Sequence, residues 1–291
     1  MNSNIKALAH IAGKKTRVII GLMSGTSLDG LDVALCKISG HGKSTRINLV
    51  KFNTVPYTQH IKERILGVFA KQSVDFQQLC ELNAWIGSLH GEMILGCLKK
   101  WKIKPANVDI IASHGQTVFH SPKAITAAAT IDSTFQAGDG DHVAVTTGII
   151  TMSDFRQKHI AAGGEGAPLA VYGDYLLFSK KGEDRVMLNI GGIGNFRYLP
   201  GSADSKKVFV PDTGPGNPLI DQAVQRLRPG LHFDKDSDIA KRGTVNDALL
   251  KELLNETFFE LPFPKTTGPE LFNLNYVQRA IERSGTQAIT F

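Results

Sequence analysis

The sequence predicts an α/β protein built as two similar lobes, and two observations carry that expectation. The 291 residues are 42% hydrophobic and 21% charged, enough apolar material for one large or two medium cores in an ordinary globular protein. A strand–glycine-turn–strand pattern then occurs twice, at residues 18–38 and again at residues 186–199, as two similar lobes require.

The elements follow in chain order. Residues 1–16 carry cations but only the short apolar patch Ala7-Leu8-Ala9, interrupted by His10, and are expected to form a flexible N-terminal extension. Lobe I is expected over 17–145 and lobe II over 146–291. Residues 18–23 and 33–38 read as strands, and the loop between them holds Gly25, Thr26, Ser27, Leu28, Asp29, Gly30, Leu31 and Asp32. Such a loop offers close-set backbone N–H groups and two hydroxyls to an anion. Asp29 and Asp32 could hold a Mg²⁺ that a nucleotide carries in, with Asp29 the leading candidate ligand. An ordinary tight turn uses the same residue types, so both readings stand at this point. The loop is not a Walker motif: before Gly42-Lys43-Ser44, Lys37 occupies the place of the required first glycine.

Helical spacing of apolar residues predicts helices over 61–71 and 76–100, the second ending in Lys99-Lys100, where cations suit a helix C-terminus. Residues 108–113 read as a strand that delivers His114-Gly115-Gln116-Thr117 at its carboxyl end, where open α/β sheets place ligand groups. A further strand is expected over 143–153, ending at Asp154-Phe155-Arg156. Residues 186–190 read as a buried strand entering Gly191-Gly192-Ile193-Gly194-Asn195, with 196–199 returning. Asp212 follows an apparent strand at 208–210, and Gly214 and Gly216 let the backbone there approach a ligand closely.

Composition narrows the partners. A net charge of +6 and a pI near 9.1 favour anionic ligands. Nucleic acid is not implied, because 27 acidic residues are scattered among the 33 basic ones and no basic run is longer than three. No stretch approaches the ~18 apolar residues of a membrane span. The three cysteines, Cys36, Cys80 and Cys97, are too widely spaced for a metal site or disulfide framework and are expected to be reduced core residues of a cytoplasmic protein.

Assembled, these blocks resemble the anhydro-N-acetylmuramic acid kinases, a branch of the actin-like ATPase and sugar kinase superfamily. The resemblance rests on Met23-Ser24-Gly25-Thr26-Ser27-Leu28-Asp29-Gly30, Ser113-His114-Gly115-Gln116-Thr117, Asp154-Phe155-Arg156, Ala161-Ala162-Gly163-Gly164-Glu165-Gly166-Ala167-Pro168-Leu169, Leu188-Asn189-Ile190-Gly191-Gly192-Ile193-Gly194-Asn195, Asp212-Thr213-Gly214-Pro215-Gly216-Asn217 and Pro264-Lys265-Thr266-Thr267-Gly268, in that order. It implies a two-lobed actin-like (ribonuclease H-like) fold of mixed sheets flanked by helices. It also implies ATP-dependent opening of the anhydro bridge of 1,6-anhydro-N-acetylmuramic acid with phosphorylation of O6, a step in cell-wall recycling. By the same resemblance Asp212 matches the catalytic base. Residues 25–32 match the first phosphate loop, and Gly191, Gly192, Gly194 and Asn195 the second, with ATP and Mg²⁺ as the ligands. His114, Gln116, Thr117, Asp154, Arg156, Gly214 and Asn217 fall on the sugar side, with Arg156 a candidate partner for the lactyl carboxylate. A surface ion pair is the plainer reading of Arg156, and an exposed loop lysine that of Lys265. Family members often pair as homodimers.

Two positions depart from the family pattern, His159 where many members carry aspartate and Glu165 where glutamine is usual. Members typically continue for another ~80 residues, the scale of part of a domain, so the second lobe is expected to be incomplete at Phe291. Two alternatives therefore stand beside an active kinase: a remnant that binds sugar or phosphate without turnover, and a sugar-independent phosphate-binding hydrolase.

Overall fold

A computed structural model describes residues 3–26, 28–123, 129–268 and 271–286. The chain divides into two compact units, Met1–Leu177 and Phe178–Phe291, so the segment after residue 145, expected in the second lobe, belongs to the first.

Unit 1 begins with a helix, α1 (Ser3–Gly13), where a flexible extension was expected. Its C-terminal end is anchored, because Lys14 pairs with Asp109 at 2.6 Å and the other Asp109 oxygen accepts the Val18 N–H at 2.8 Å. Burial works to raise the Asp109 carboxyl, but these two donors outweigh it and hold the group below its ordinary value. Strands β1 (Thr16–Ser24), β2 (Gly30–Ser39) and β3 (Arg46–Pro56) form an antiparallel meander. Helices α2 (Gln59–Leu66) and α3 (Phe76–Trp101) follow. The first stops short of the expected residue 71, and the second runs almost as its pattern predicts, with Asp75 capping its start and Lys102 in the left-handed region ending it.

The chain then re-enters the sheet as β4 (Ile110–Ser121), which lies parallel to β1 and antiparallel to β5 (Ser133–Ala137). The His114-Gly115-Gln116-Thr117 block thus lies inside a strand rather than beyond its end. Pairing with β5 prolongs the strand, and Gly115, at φ 74°, sits where the β1 register slips. Residues 143–153 form no single strand. Asp139 caps a helix, α4 (Gly140–Thr147), whose buried Val143 and Thr147 are one turn apart, and only the two-residue β6 (Thr151–Met152) joins β4. The sheet order is β3-β2-β1-β4-β5, with β6 also paired to β4. Helices α5 (Phe155–Ala161) and α6 (Ala170–Phe178) complete this part of the chain.

The core of unit 1 packs Ile20, Leu22, Leu31, Val33 and Leu35 from the hairpin against Leu82, Ile86, Ile94 and Leu98 from α3. Each such side chain contributes on the order of 1.5–3 kcal/mol when fully buried. Helices α3 and α4 approach closely through two glycines. A Cβ on Gly87 would lie 2.5 Å from the Asp139 carbonyl oxygen, and one on Gly91 2.6 Å from Thr146 Cβ.

Unit 2 is built on a three-stranded antiparallel sheet, β7 (Arg185–Ile190), β8 (Ile193–Leu199) and β9 (Asp212–Pro215). The expected buried strand is an exposed edge: Val186, Leu188 and Ile190 on one face of β7 are each about 60% accessible. Helices α7 (Pro218–Leu227), α8 (Asp247–Leu254), α9 (Thr257–Glu260) and α10 (Leu274–Ser284) follow, and Phe258, Phe272 and Tyr276 form a small aromatic core. Cys36 is half-buried and Cys97 buried, but Cys80 is exposed, against the expectation that all three sit in the core. Among the described residues, no helix is long and apolar enough to cross a membrane.

The α3–α4 contact predicts opposite outcomes for two glycines of one helix. Gly87→Ala should cost about 2 kcal/mol through overpacking. Gly96→Ala, where a Cβ meets nothing within 4 Å, should be neutral or stabilising by up to about 1 kcal/mol. Urea unfolding of the two variants measures both.

Candidate active site

The first glycine loop joins β1 to β2 and is held by its surroundings more than by its own bonds. Gly30 admits no side chain, since a Cβ would lie 2.3 Å from the Val55 carbonyl oxygen. Leu28 turns the chain at φ 58° and is buried, as is Leu31, so both serve the loop through the backbone while their side chains belong to the core. Asp29 is exposed, whereas Asp32 accepts the Thr54 hydroxyl at 2.5 Å. Gly25 and Thr26 lie at the surface of the turn, and Ser27 falls outside the described residues. Among the described residues, no three metal-ligating side chains cluster. An exposed Asp29 suits a Mg²⁺ that keeps its waters and arrives on phosphates, not a closed protein cage.

Beneath the loop runs a buried polar chain that the sequence reading missed. His90, on the core face of α3, is fully buried and places Nε2 2.7 Å from the Tyr57 hydroxyl. That hydroxyl lies 2.9 Å from Ser24 Oγ, which donates to Gln116 Oε1. The Gln116 amide in turn donates to the Gly25 carbonyl at 3.2 Å and the Thr117 carbonyl at 3.1 Å. Gln116, expected on the sugar side, is therefore fully buried with both ends of its amide committed, and it holds the loop. Burial pushes His90 down to about 4 and Tyr57 up to about 12. Thr117 beside it is also largely buried. The sequence did carry a signal: Leu82, Ile86, His90 and Ile94 recur every four residues, which puts a histidine on an apolar stripe.

A polar cleft of about 220 Å³ opens on unit 1 beside β4, lined in part by Asn83, Ser113, His114, Gln136, Asp139, Asp141, Ser153 and Asp154. Asp154 sits exposed at its rim with φ 63°, at the start of α5. His114 Nδ1 lies 2.9 Å from the Gly115 carbonyl, which fixes the proton on that nitrogen and leaves Nε2 to accept Arg156 Nε–H at 3.0 Å. Burial, and then the adjacent guanidinium, lower the His114 pKa; the Gly115 bond opposes them. Arg156, half-buried and lowered by burial, makes no ion pair among the described residues, against the surface-pair reading. Its bond to a neutral imidazole leaves its charge without an ionic partner among the described residues. Ser113 is buried against this cleft, and among the described residues its hydroxyl has no partner.

His159 bears on the adjoining glycine block. Its Nδ1 accepts the Gly166 N–H at 3.0 Å, and a Cβ on Gly164 would strike its Nε2 at 2.2 Å, so the departure from aspartate buttresses a turn.

In unit 2 the second glycine hairpin and the Asp212 segment are one construction. Strand β9 opens at Asp212, and residues 208–210 supply only a bridge from Phe209 to Tyr198 in place of the expected strand. Register places Asn195 opposite Asp212 and Gly194 opposite Gly214. The hairpin carbonyls of Gly191 and Gly192 accept the N–H groups of Asn217 at 2.8 Å and Gly216 at 3.2 Å. A Cβ on Gly216 would lie 2.0 Å from the Gly191 oxygen, so the contact excludes every residue but glycine. Gly214, at φ 144°, packs against the Phe259 ring. Asp212 is half-buried; its N–H donates to the Lys265 carbonyl at 2.8 Å, and its Oδ2 accepts the Thr267 N–H at 2.9 Å. The Pro264-Lys265-Thr266-Thr267-Gly268 block thus anchors the candidate base through Oδ2, and among the described residues Oδ1 has no hydrogen-bond partner. Lys265 is no exposed loop residue: its ammonium caps the Phe258 and Phe259 carbonyls at 2.8 and 3.1 Å and lies over the Phe258 and Phe263 rings.

A mixed sheet flanked by helices, with a glycine hairpin in each unit, defines an α/β protein of the sugar-kinase type. Over residues 17–290 the sequence matches the family model described as anhydro-N-acetylmuramic acid kinase, and the chain belongs to that family. A relative of that name from Pseudoalteromonas atlantica is 56% identical over 99% of this chain and 72% of its own length. One from Pseudoalteromonas translucida is 52% identical over 100% of this chain and 73% of its own. A third, from Caldanaerobacter subterraneus, is 41% identical over 95% and 70%.

The buried histidine makes unit 1 acid-sensitive. Between the ordinary histidine value of 6.5 and the folded value of about 4, the unfolded chain binds the proton that His90 refuses. Stability is therefore full above the first value and declines as pH falls toward the second. Thermal unfolding across this range should show the decline in the wild-type protein and a shallower one in His90→Gln.

Proposed function

We propose that this chain uses ATP to open the anhydro bridge of 1,6-anhydro-N-acetylmuramic acid and phosphorylate the released O6, giving N-acetylmuramic acid 6-phosphate in cell-wall recycling. The observation that carries this reading is 56% identity over 99% of the chain to a relative of that name. The intact Asp212 and glycine segments support it.

The reaction joins two displacements. Water adds to the anomeric carbon as the bond from that carbon to O6 breaks; O6 then bonds the γ-phosphorus, and ADP leaves. Asp212, with Oδ1 uncommitted, takes the proton from water, which makes the nucleophile stronger as it attacks. The anchoring of Oδ2 on Thr267 fixes the direction in which Oδ1 presents itself, so little reorientation is needed in the transition state. The first loop in unit 1 and the glycine hairpin of Gly191, Gly192, Gly194 and Asn195 in unit 2 are each read as phosphate-binding segments. Asp29 would hold Mg²⁺ in part, and the ion would supply charge neutralisation to the phosphates. His114, Thr117, Asp154 and Arg156 serve the sugar, with the Arg156 charge matched to its lactyl carboxylate. Gln116, Gly214 and Asn217 serve by positioning. The free thiols of Cys36, Cys80 and Cys97 agree with a reducing, cytoplasmic setting.

Two variants test the assignments. Asp212→Asn keeps an oxygen for the Thr267 N–H and loses the base, so turnover should fall by about 10³-fold or more with sugar binding within about twofold. Arg156→Gln should raise KM for the anhydro sugar by about tenfold and leave KM for ATP nearly unchanged. Sugar-dependent ADP release measures turnover and both KM values, and calorimetry measures sugar binding. Undiminished turnover in Asp212→Asn removes that residue from the base role, and ADP formed equally without sugar removes the kinase reading.

A further inference from the structure

We infer that Tyr57 and His90 are positioning residues that set the first glycine loop for phosphate binding through a one-way chain of hydrogen bonds. The inference rests on the reading of residues 25–32 as a phosphate loop.

The direction of the chain follows from its far end. Gln116 Nε2 faces the Gly25 and Thr117 carbonyls, which only accept, so this atom is the amide nitrogen and Oε1 is the acceptor for Ser24. Ser24 spends its one proton on Gln116 and must accept from Tyr57. Tyr57 spends its proton on Ser24 and must accept from His90 Nε2. His90 is thus the neutral tautomer protonated at Nε2. Its Nδ1 is a buried lone pair without a partner among the described residues, beside Gly138. Every proton in the chain points toward the loop, and every member is buried.

Tyr57 grips the loop twice. Its backbone N–H donates to the Asp29 carbonyl at 3.0 Å, while its hydroxyl reaches Ser24, so both shoulders of the turn are tied to one residue. Gly25, whose carbonyl also accepts the Leu28 N–H at 3.3 Å, is drawn inward by Gln116. The Gly25 and Asp29 carbonyls are thereby drawn into the protein, which keeps two acceptors of the turn away from an incoming anion.

Tyr57→Phe isolates the hydroxyl, because the ring and the backbone tie to Asp29 remain. In the full chain, amide exchange over residues 24–30 should accelerate by about tenfold, with exchange in unit 2 unchanged. KM for ATP should rise about tenfold while KM for the sugar stays within about twofold. His90→Gln, which keeps an N–H donor, should recover most of the affinity lost in His90→Leu, and Tyr57→Phe should add little to His90→Leu. Nitrogen NMR of His90 should report a proton on Nε2 and none on Nδ1. Unchanged exchange over 24–30 in folded Tyr57→Phe, or an equal rise in both KM values, overturns the proposal. Absence of sugar-dependent ADP from the wild-type chain counts against the kinase reading alone, because the exchange comparison still decides whether Tyr57 and His90 order the loop.

Discussion

The parallel pairing of β1 with β4 is the contact on which unit 1 depends. It joins segments far apart in sequence, with α2 and α3 between them, and sets Ser24 beside Gln116 at the point where the register slips. The glycine loop leaves the sheet at that point. Its geometry is therefore set by a nonlocal strand pairing and a buried amide, with the loop's own residues contributing chiefly permissive conformations.

Much of the architecture was legible because it is written in local patterns. Both glycine hairpins were readable from apolar runs interrupted by Gly with Asp or Asn, and α3 from its periodicity. The fold class followed, and the family resemblance agrees with the match over residues 17–290. The misreading of residues 143–153 has a tertiary cause. Residues 143–153 are apolar and β-branched, which favours a strand, but the Asp139 cap and the α3 glycines favour a helix. Tertiary packing decided between them.

The site was legible as a set of motifs, and its division of labour was not. Gln116 and Asn217 sit in motif blocks, which say that a residue matters without saying whether it faces a ligand or the protein. Gln116 turns its side chain inward to the first loop, whereas Asn217 ties the hairpin through its backbone N–H and keeps an exposed side chain. Tyr57 was passed over because a single tyrosine after a strand carries no local signature; the apolar stripe of α3 marks His90 as buried but does not name its partner, and the meaning of both arises where β1, β4 and α3 meet. Lys265 shows the reverse error, since a cation in a loop reads as solvated until the end of α9 and two aromatic rings are found around it.

The contact between Gly216 and Gly191 reaches beyond the present molecule. At 2.0 Å from a hypothetical Cβ, the Gly191 oxygen leaves no side chain that position 216 could acquire without displacing the hairpin. The two segments, separated by strands β8 and β9, form one inheritable unit. Variation is barred at position 216, and a chimaera taking the hairpin from one relative and the Asp212 segment from another would keep the clasp wherever that glycine is kept, because the bonds across it are made by backbone groups.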